Sequence, residues 1–385
     1  MRIAVVHSFY TGAQPSGENN VVLDQVAQLE RAGHEVSLIA RHTDDLSIGK
    51  VYPLRAALTV ATGRGASPDE ALRRLRPDVV HVHNTFPNWG TAWLGEWASH
   101  TVATVHNYRP VCAAGTLFRE GHECRECLSR PLAPAVQHAC YRGSRVATLP
   151  LAIASSPRGS LRRIPKVVAR MIVLNRQAQT LYETVLGRRV DLVPNFVPQA
   201  TLTAATAATR GWVYVGRLGP EKGIDRLLRN WPQGQPLDVI GDGELAKQIG
   251  REVSARPEIN ALGLLPREDL LGTLASYRGV IVPSVCSEGL PTIVLEALAR
   301  GVPAVMSNYV SASEQMSTRG TAVVYDPLAG AAALRRALDE VATRGDVMRD
   351  AAKLLHAREY APEIWQARID KIYQDVASSR EPKSS

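Results

Sequence analysis

Two acids and two cations in the second half of the chain have the types and spacing that group-transfer chemistry needs. Glu288 and Glu296 stand in the stretch SEGLPTIVLEALARGVP, behind the apolar run GVIVPSV. Gly289, next to Glu288, lets the backbone approach a ligand closely. Pro291 favours the first turn of a helix. Gly289, Leu290, Pro291 and Thr292 therefore fall where unpaired N–H groups and a positive dipole end form an anion site. Glu296 follows about one turn into that helix, among Ile293, Val294, Leu295, Ala297 and Leu298. A carboxylate in such company is costly to bury unless it is bonded, and ribose hydroxyls would bond it. A Glu facing solvent from an amphipathic helix is the plain alternative.

The cations are Arg217 and Lys222 in VGRLGPEKGID, a turn that also holds Gly216, Gly219 and Gly223. Two cations on such a loop can neutralise a departing diphosphate without a divalent ion. Exposed cations in an ordinary loop are the competing reading. A third piece, IGDGE, places Gly241 and Gly243 where backbone could lie against a base.

Loops like these need strands ahead of them and helices behind. In the first half, IAVVHSF reads as a strand, VVLDQVAQLERAG as a helix ending at Gly33, and HEVSLIA as the next strand. DEALRRLRPD, VVHVH and TVATVHN continue the alternation. Uninterrupted Val, Ile and Ala runs separated by helices call for a parallel sheet covered on both faces. The Thr-rich stretch TLTAATAATR reads as a linker, after which GWVYVGRL, PLDVIGDG, INALGLL, GVIVPSV and VPAVMS begin a second alternating series. The fold class expected is α/β, two facing Rossmann-like domains with a central cleft, ligands lying beyond the carboxyl ends of the strands. The boundaries expected are 1–196, 197–362 and a C-terminal crossover helix in 363–385. That helix carries Trp365, Ile369, Ile372 and Tyr373 on one face and is expected to pack back on the first domain.

In their order and spacing, GRLGPEKGID, GDGE and the Glu-x7-Glu segment SEGLPTIVLE resemble the retaining glycosyltransferases of the GT-B fold. The likeness is to family four (glycosyl transferases group 1), which includes sucrose synthases and bacterial mannosyl- and glucosyltransferases. The resemblance implies Glu288 beside the donor sugar, Glu296 on the ribose, and Arg217 with Lys222 on the diphosphate. It also implies backbone N–H groups near Gly289 and Leu290 facing the donor, and same-face transfer that needs no catalytic metal. UDP is the expected nucleotide because it is common among such donors. LVPNFV resembles the family's interdomain PNG stretch, with Phe196 in place of the Gly after Asn195.

On the acceptor side, the loop SFYTGAQPSGENNVV holds Gly17, in a segment that in the family meets the donor phosphates and the acceptor. His106 in ATVHNYRP matches the family's strand-end histidine, which bonds the donor sugar; the usual following acid is Asn107 here. His81 and His83 read as structural. Cys112, Cys124, Cys127 and Cys140 form C-x11-C-x2-C-x12-C, an insertion near 112–140. The spacing suits a structural zinc, with His122 and His138 as spare ligands; reduced thiols or an iron–sulfur site are the alternatives. Cys286 reads as a small packing residue.

The chain has 385 residues, 45% hydrophobic and 21% charged, enough for two cores. Its net charge is +8, and Arg145 to Arg189 concentrates Arg158, Arg162, Arg163, Lys166, Arg170, Arg176 and Arg188 against Glu183. A solvated face, an anionic membrane surface or an acidic acceptor fits that stretch; aromatics at 5% argue against nucleic acid. No run reaches the length of a membrane span and the first apolar run is short for a signal peptide, so a cytoplasmic enzyme, peripheral at the inner membrane face, is expected. A dinucleotide oxidoreductase would need a G-x-G-x-x-G turn that the first loop does not supply. A non-catalytic nucleotide-sugar-binding partner of another transferase is the remaining rival.

Overall fold

A computed structural model of the chain describes residues 1–12, 17–47, 49, 51–198 and 209–379. These form two compact units. The first comprises Met1–Arg119, Glu123–Pro194 and the tail from Trp365, and the second Glu120–His122 and Asn195–Ile364.

The first unit holds β1 (Arg2–Phe9), β2 (Glu35–His42), β3 (Val79–Asn84), β4 (Thr101–Val105) and the two-residue pair β5 (Phe118–Arg119) and β6 (His122–Glu123). β7 (Arg170–Val173) and β8 (Asp191–Leu192) complete it. The main sheet runs β2-β1-β3-β4-β7-β8 and is parallel throughout. Chain direction across the sheet reverses between β1 and β3. This is the flavodoxin-type order, a doubly wound parallel sheet of the Rossmann-like α/β class expected.

The second unit holds β9 (Arg210–Val215), β10 (Leu237–Ile240), β11 (Ile259–Gly263), β12 (Tyr277–Val282), β13 (Ala304–Ser307) and β14 (Ala322–Tyr325). Their order, β11-β10-β9-β12-β13-β14, is the doubly wound Rossmann order with its switch point between β9 and β12. Val213, Val280, Val282, Ala304 and Met306 belong to one apolar cluster, and their neighbours Trp212, Tyr214, Ile281 and Val305 to another. Alternate residues thus enter opposite faces, both covered by helices.

The helix Pro362–Ser378 groups with the first unit. Trp365, Ile369, Ile372, Tyr373 and Val376 are buried, at spacings of four, three, one and three that keep one helical face inward. Polar contacts fix its register. Tyr373 Oη meets His81 Nδ1 at 2.6 Å, Asp370 pairs with His34 at 3.0 Å, and Asp375 pairs with Arg170 at 3.0 Å.

Two expectations fall partly outside the described residues. Of the linker 201–210, only Thr209 and Arg210 are described, and Arg210 already opens β9. Of the first loop, 13–16 lie outside, while Gly17 is the first residue of the helix Gly17–Arg31 and is exposed. Glu18 and Asn19, read as loop, are therefore first-turn residues.

Candidate active site

The switch point of the second sheet explains which side chains meet. The loop after β9 carries Gly216, Arg217 and Lys222; the loop after β12 carries Ser284, Cys286 and Glu288. Because β9 and β12 are neighbours, Lys222 and Glu288, 66 residues apart, are hydrogen-bonded as an ion pair. The second carboxylate oxygen of Glu288 accepts from Ser284 Oγ at 2.7 Å. Its backbone is held as well: the Glu288 carbonyl accepts from Ser311 N–H at 2.7 Å and Ser311 Oγ at 2.9 Å. Burial lowers the Lys222 pKa, with neighbouring Cys286 and Glu221 opposing that shift. Arg217 is half exposed and ion-paired with Glu221. Glu221, Ser284 and Ser311 were not singled out from sequence, since no motif marks an acid or hydroxyl that serves only as a holder.

Glu296 is 7% exposed, inside the helix Thr292–Ala299 with Pro291 as its N-cap residue. The carboxylate is not a solvated helix-face Glu. Its Oε1 accepts from Arg267 Nε at 3.2 Å, and Arg300 Nη1 reaches the Glu296 carbonyl at 3.1 Å. Gly289 and Leu290 lead into that helix, Leu290 half-buried against the core and the Gly289 carbonyl accepting from Ala312 N–H at 3.3 Å.

Gly241 and Gly243 have a packing role in the fold. Gly241 adopts φ 146°, and a methyl group there would overlap the Gly216 carbonyl; at Gly243 it would lie 2.6 Å from the Leu218 carbonyl. Both glycines let the loop after β10 pack against the loop after β9, backbone on backbone. Cys286 is buried and burial pushes its thiol up to about 11, in keeping with a packing residue.

His106 belongs to the first unit and directly follows β4. Its Nε2 lies 3.0 Å from His83 Nδ1, and the His83 ring is tilted by 34° against that of His81, with centroids 4.1 Å apart. Burial lowers His106 and His81 to about 3 and His7 to about 4, and takes His83 well below its ordinary value. All four imidazoles are neutral at pH 7. Next to them, burial raises the Glu18 carboxyl to about 7, opposed by Arg109 and by a bond to Asn107. Glu18 thus supplies an acid beside Asn107, the position where this chain lacks the family's usual acid. His83, His106, Asn107 and Arg109 line a pocket closed below by Leu161 and Ile164.

Cys112, Cys124, Cys127 and Cys140 are all half-buried, unbonded thiols of the first unit. They lie within electrostatic range of one another, and burial with the neighbouring thiols pushes Cys127 and Cys140 up to about 11. His138 is engaged by Arg119 at 3.2 Å and Glu126 at 3.4 Å, and His122 Nδ1 meets the Glu120 carbonyl at 3.3 Å. Among the described residues, no three His, Cys, Asp or Glu side chains are disposed to hold a metal ion.

Comparison with known proteins bears on this geometry directly. Residues 209–340 match the family model for glycosyl transferases group 1, and residues 15–201 that for glycosyltransferase family 4. A GDP-mannose-dependent alpha-mannosyltransferase of Mycobacterium tuberculosis is 29% identical over 342 residues, 79% of this chain and 78% of that protein. An exopolysaccharide phosphotransferase of Streptomyces coelicolor is 24% identical over 239 residues, 57% of this chain but 25% of the relative's length. Among solved structures, sucrose-phosphate synthase of Thermosynechococcus elongatus superposes with a TM-score of 0.69 at 15% identity, covering 98% of this chain and 99% of that one. HepE of Anabaena, solved with UDP, gives 0.61 at 14% identity over 97% and 100% of the two chains. With two parallel-sheet α/β units and both family models matched, the chain belongs to the glycosyl transferases group 1 and has the GT-B architecture.

Proposed function

We propose that this protein is a retaining glycosyltransferase that moves a hexose-type sugar from a nucleotide diphosphate donor to a hydroxyl of a glycan, lipid-linked intermediate or small natural product. The observation that carries the reading is the Lys222–Glu288 pair, braced by Ser284 and Ser311 at the β9/β12 switch point. An ammonium there meets the diphosphate as charge develops on it, with Arg217 as the second cation. Glu288 orients the donor sugar, and Glu296 with Arg267 takes the ribose end. The acceptor hydroxyl attacks from the face the diphosphate leaves, and the leaving phosphate oxygen accepts its proton, so no metal and no dedicated base take part. His106, neutral, bonds the donor sugar. Glu18, with a carboxyl near 7 beside Asn107 and Arg109, is the group best suited to hold the acceptor hydroxyl.

A UDP-sugar is the first donor to test. GDP-mannose is the second, given the name of the mycobacterial relative. A thermal-shift screen against UDP-, GDP- and ADP-sugars, then transfer and donor-hydrolysis assays with and without chelator, separates catalysis from mere binding. Lys222→Ala and Glu288→Ala are expected to lower kcat/KM by about a hundredfold to a thousandfold while the protein still melts cooperatively. Full turnover in both variants, or stabilisation by none of the donors, sinks the reading. The four cysteines keep a structural zinc as a proposal. One equivalent of zinc per chain in the untreated protein supports it, and four thiols that react freely with a thiol reagent in the native state exclude it.

A further inference from the structure

Two helices of the first unit turn large aliphatic side chains to solvent in the same pattern. Val51, Leu54 and Leu58 lie at the start of and along Tyr52–Thr62; Val146, Leu149 and Ile153 lie along Arg145–Ser155. Each trio is spaced by three and then four residues, which is a single stripe of an α-helix. The two helices pack against one another, so the stripes stand on neighbouring elements. Val146 is 84% exposed, and Val51 and Leu54 are 62% exposed each. Single exposed aliphatics are ordinary on a protein surface; six on one helix pair mark an interaction site.

The charge around the stripes has one sign. The chain contains no Asp or Glu from Leu46 to Pro68, nor from Cys127 to Tyr182. Arg55, Arg142, Arg145, Arg158 and Lys166 in these stretches are exposed. Among the described residues none of Arg55, Arg145 and Arg158 forms an ion pair with an acid. Other cations of the basic stretch are committed to the fold: Arg170 pairs with Asp191 and Asp375, and Arg162 is buried.

Aliphatic stripes rimmed by unpaired guanidinium groups fit one kind of surface. A nucleic acid would use the cations and leave the aliphatic side chains in water. A second copy of the chain would cover the stripes but bring like charges together. An anionic leaflet uses both, the stripes at the acyl boundary and the arginines among the lipid phosphates. No helix of the described residues is long and apolar enough to cross a membrane, so the contact would be peripheral.

We propose that the face formed by Tyr52–Thr62 and Arg145–Ser155 is a docking surface for an anionic phospholipid leaflet. It does not rest on the transferase reading, because it can be measured with no donor present. The test is flotation of the full chain with vesicles of phosphatidylcholine containing about 30% phosphatidylglycerol, against phosphatidylcholine alone. The protein is expected to float with the anionic vesicles only, and to release as salt shortens the Debye length. Leu54→Ser with Val146→Ser, and separately Arg55→Glu with Arg145→Glu, are each expected to weaken partitioning at least about tenfold with unchanged melting. The charge-reversed variant keeps the test valid if the serine variant folds poorly. Absence of flotation of the parent protein, or flotation of both variants at the parent level, overturns the proposal. So does a dimer in light scattering that the serine variant abolishes, because the face would then be a self-association surface.

Discussion

Lys222 and Glu288 form one hydrogen-bonded pair, so a change at either is felt by both, and their variants report on the pair as a unit. Glu296 offers a sharper residue-scale test, because its carboxylate is buried and its protein partner, Arg267, is known. Glu296→Gln keeps the shape and removes the charge. If the carboxylate takes ribose hydroxyls, KM for the donor is expected to rise about tenfold or more with kcat changed far less. If Glu296 serves only to anchor Arg267, the melting temperature falls and KM stays; steady-state kinetics beside a melting curve tells the two apart.

At the scale of elements, the ends of β1, β3 and β4 gather four neutral imidazoles, His7, His81, His83 and His106. Their folded pKa values lie below the ordinary 6.5, His81 and His106 at about 3 and His7 at about 4, with burial as the first cause. The unfolded chain therefore binds more protons than the folded one below that ordinary value. The sign follows: stability is full above pH 6.5 and is lost as pH falls from there towards 4 and 3. Each fully buried imidazole contributes a slope of up to about 1.4 kcal/mol per pH unit in that window. Denaturant unfolding followed across pH 7 to 4 should show this steep loss, and a flat profile would count against a buried neutral cluster.

At the scale of the molecule, the chain closes on itself through its last helix. Tyr373 is fully buried and its hydroxyl meets His81 at the centre of the first sheet. Tyr373→Phe leaves a buried imidazole nitrogen without its partner and is expected to cost about 1–3 kcal/mol. Ending the chain after Ile364 removes Trp365, Ile369, Ile372, Tyr373 and Val376 from that core. The first unit is then expected to lose its cooperative melt, while the second, which contributes none of those side chains, keeps its own. A calorimetric scan showing both transitions intact would contradict that dependence.

By itself the sequence determined the two alternating α/β series, the final amphipathic helix, the loops after strands where Arg217, Lys222 and Glu288 stand, and the helix that carries Glu296. Each of these is local, set by periodicity over a few residues and by Gly or Pro at turns. What only the tertiary structure decided is the order of the strands, and with it which loops meet. The flavodoxin-type order of the first sheet, the Lys222–Glu288 bond, and the arrival of Glu18 beside Asn107 all depend on it. So does the packing of Gly241 against Gly216, since the sequence marked Gly241 only as a place of close backbone approach. Spacing along the chain says that a side chain follows a strand; which strand lies next to it is a long-range property of the sheet, and that adjacency made the site.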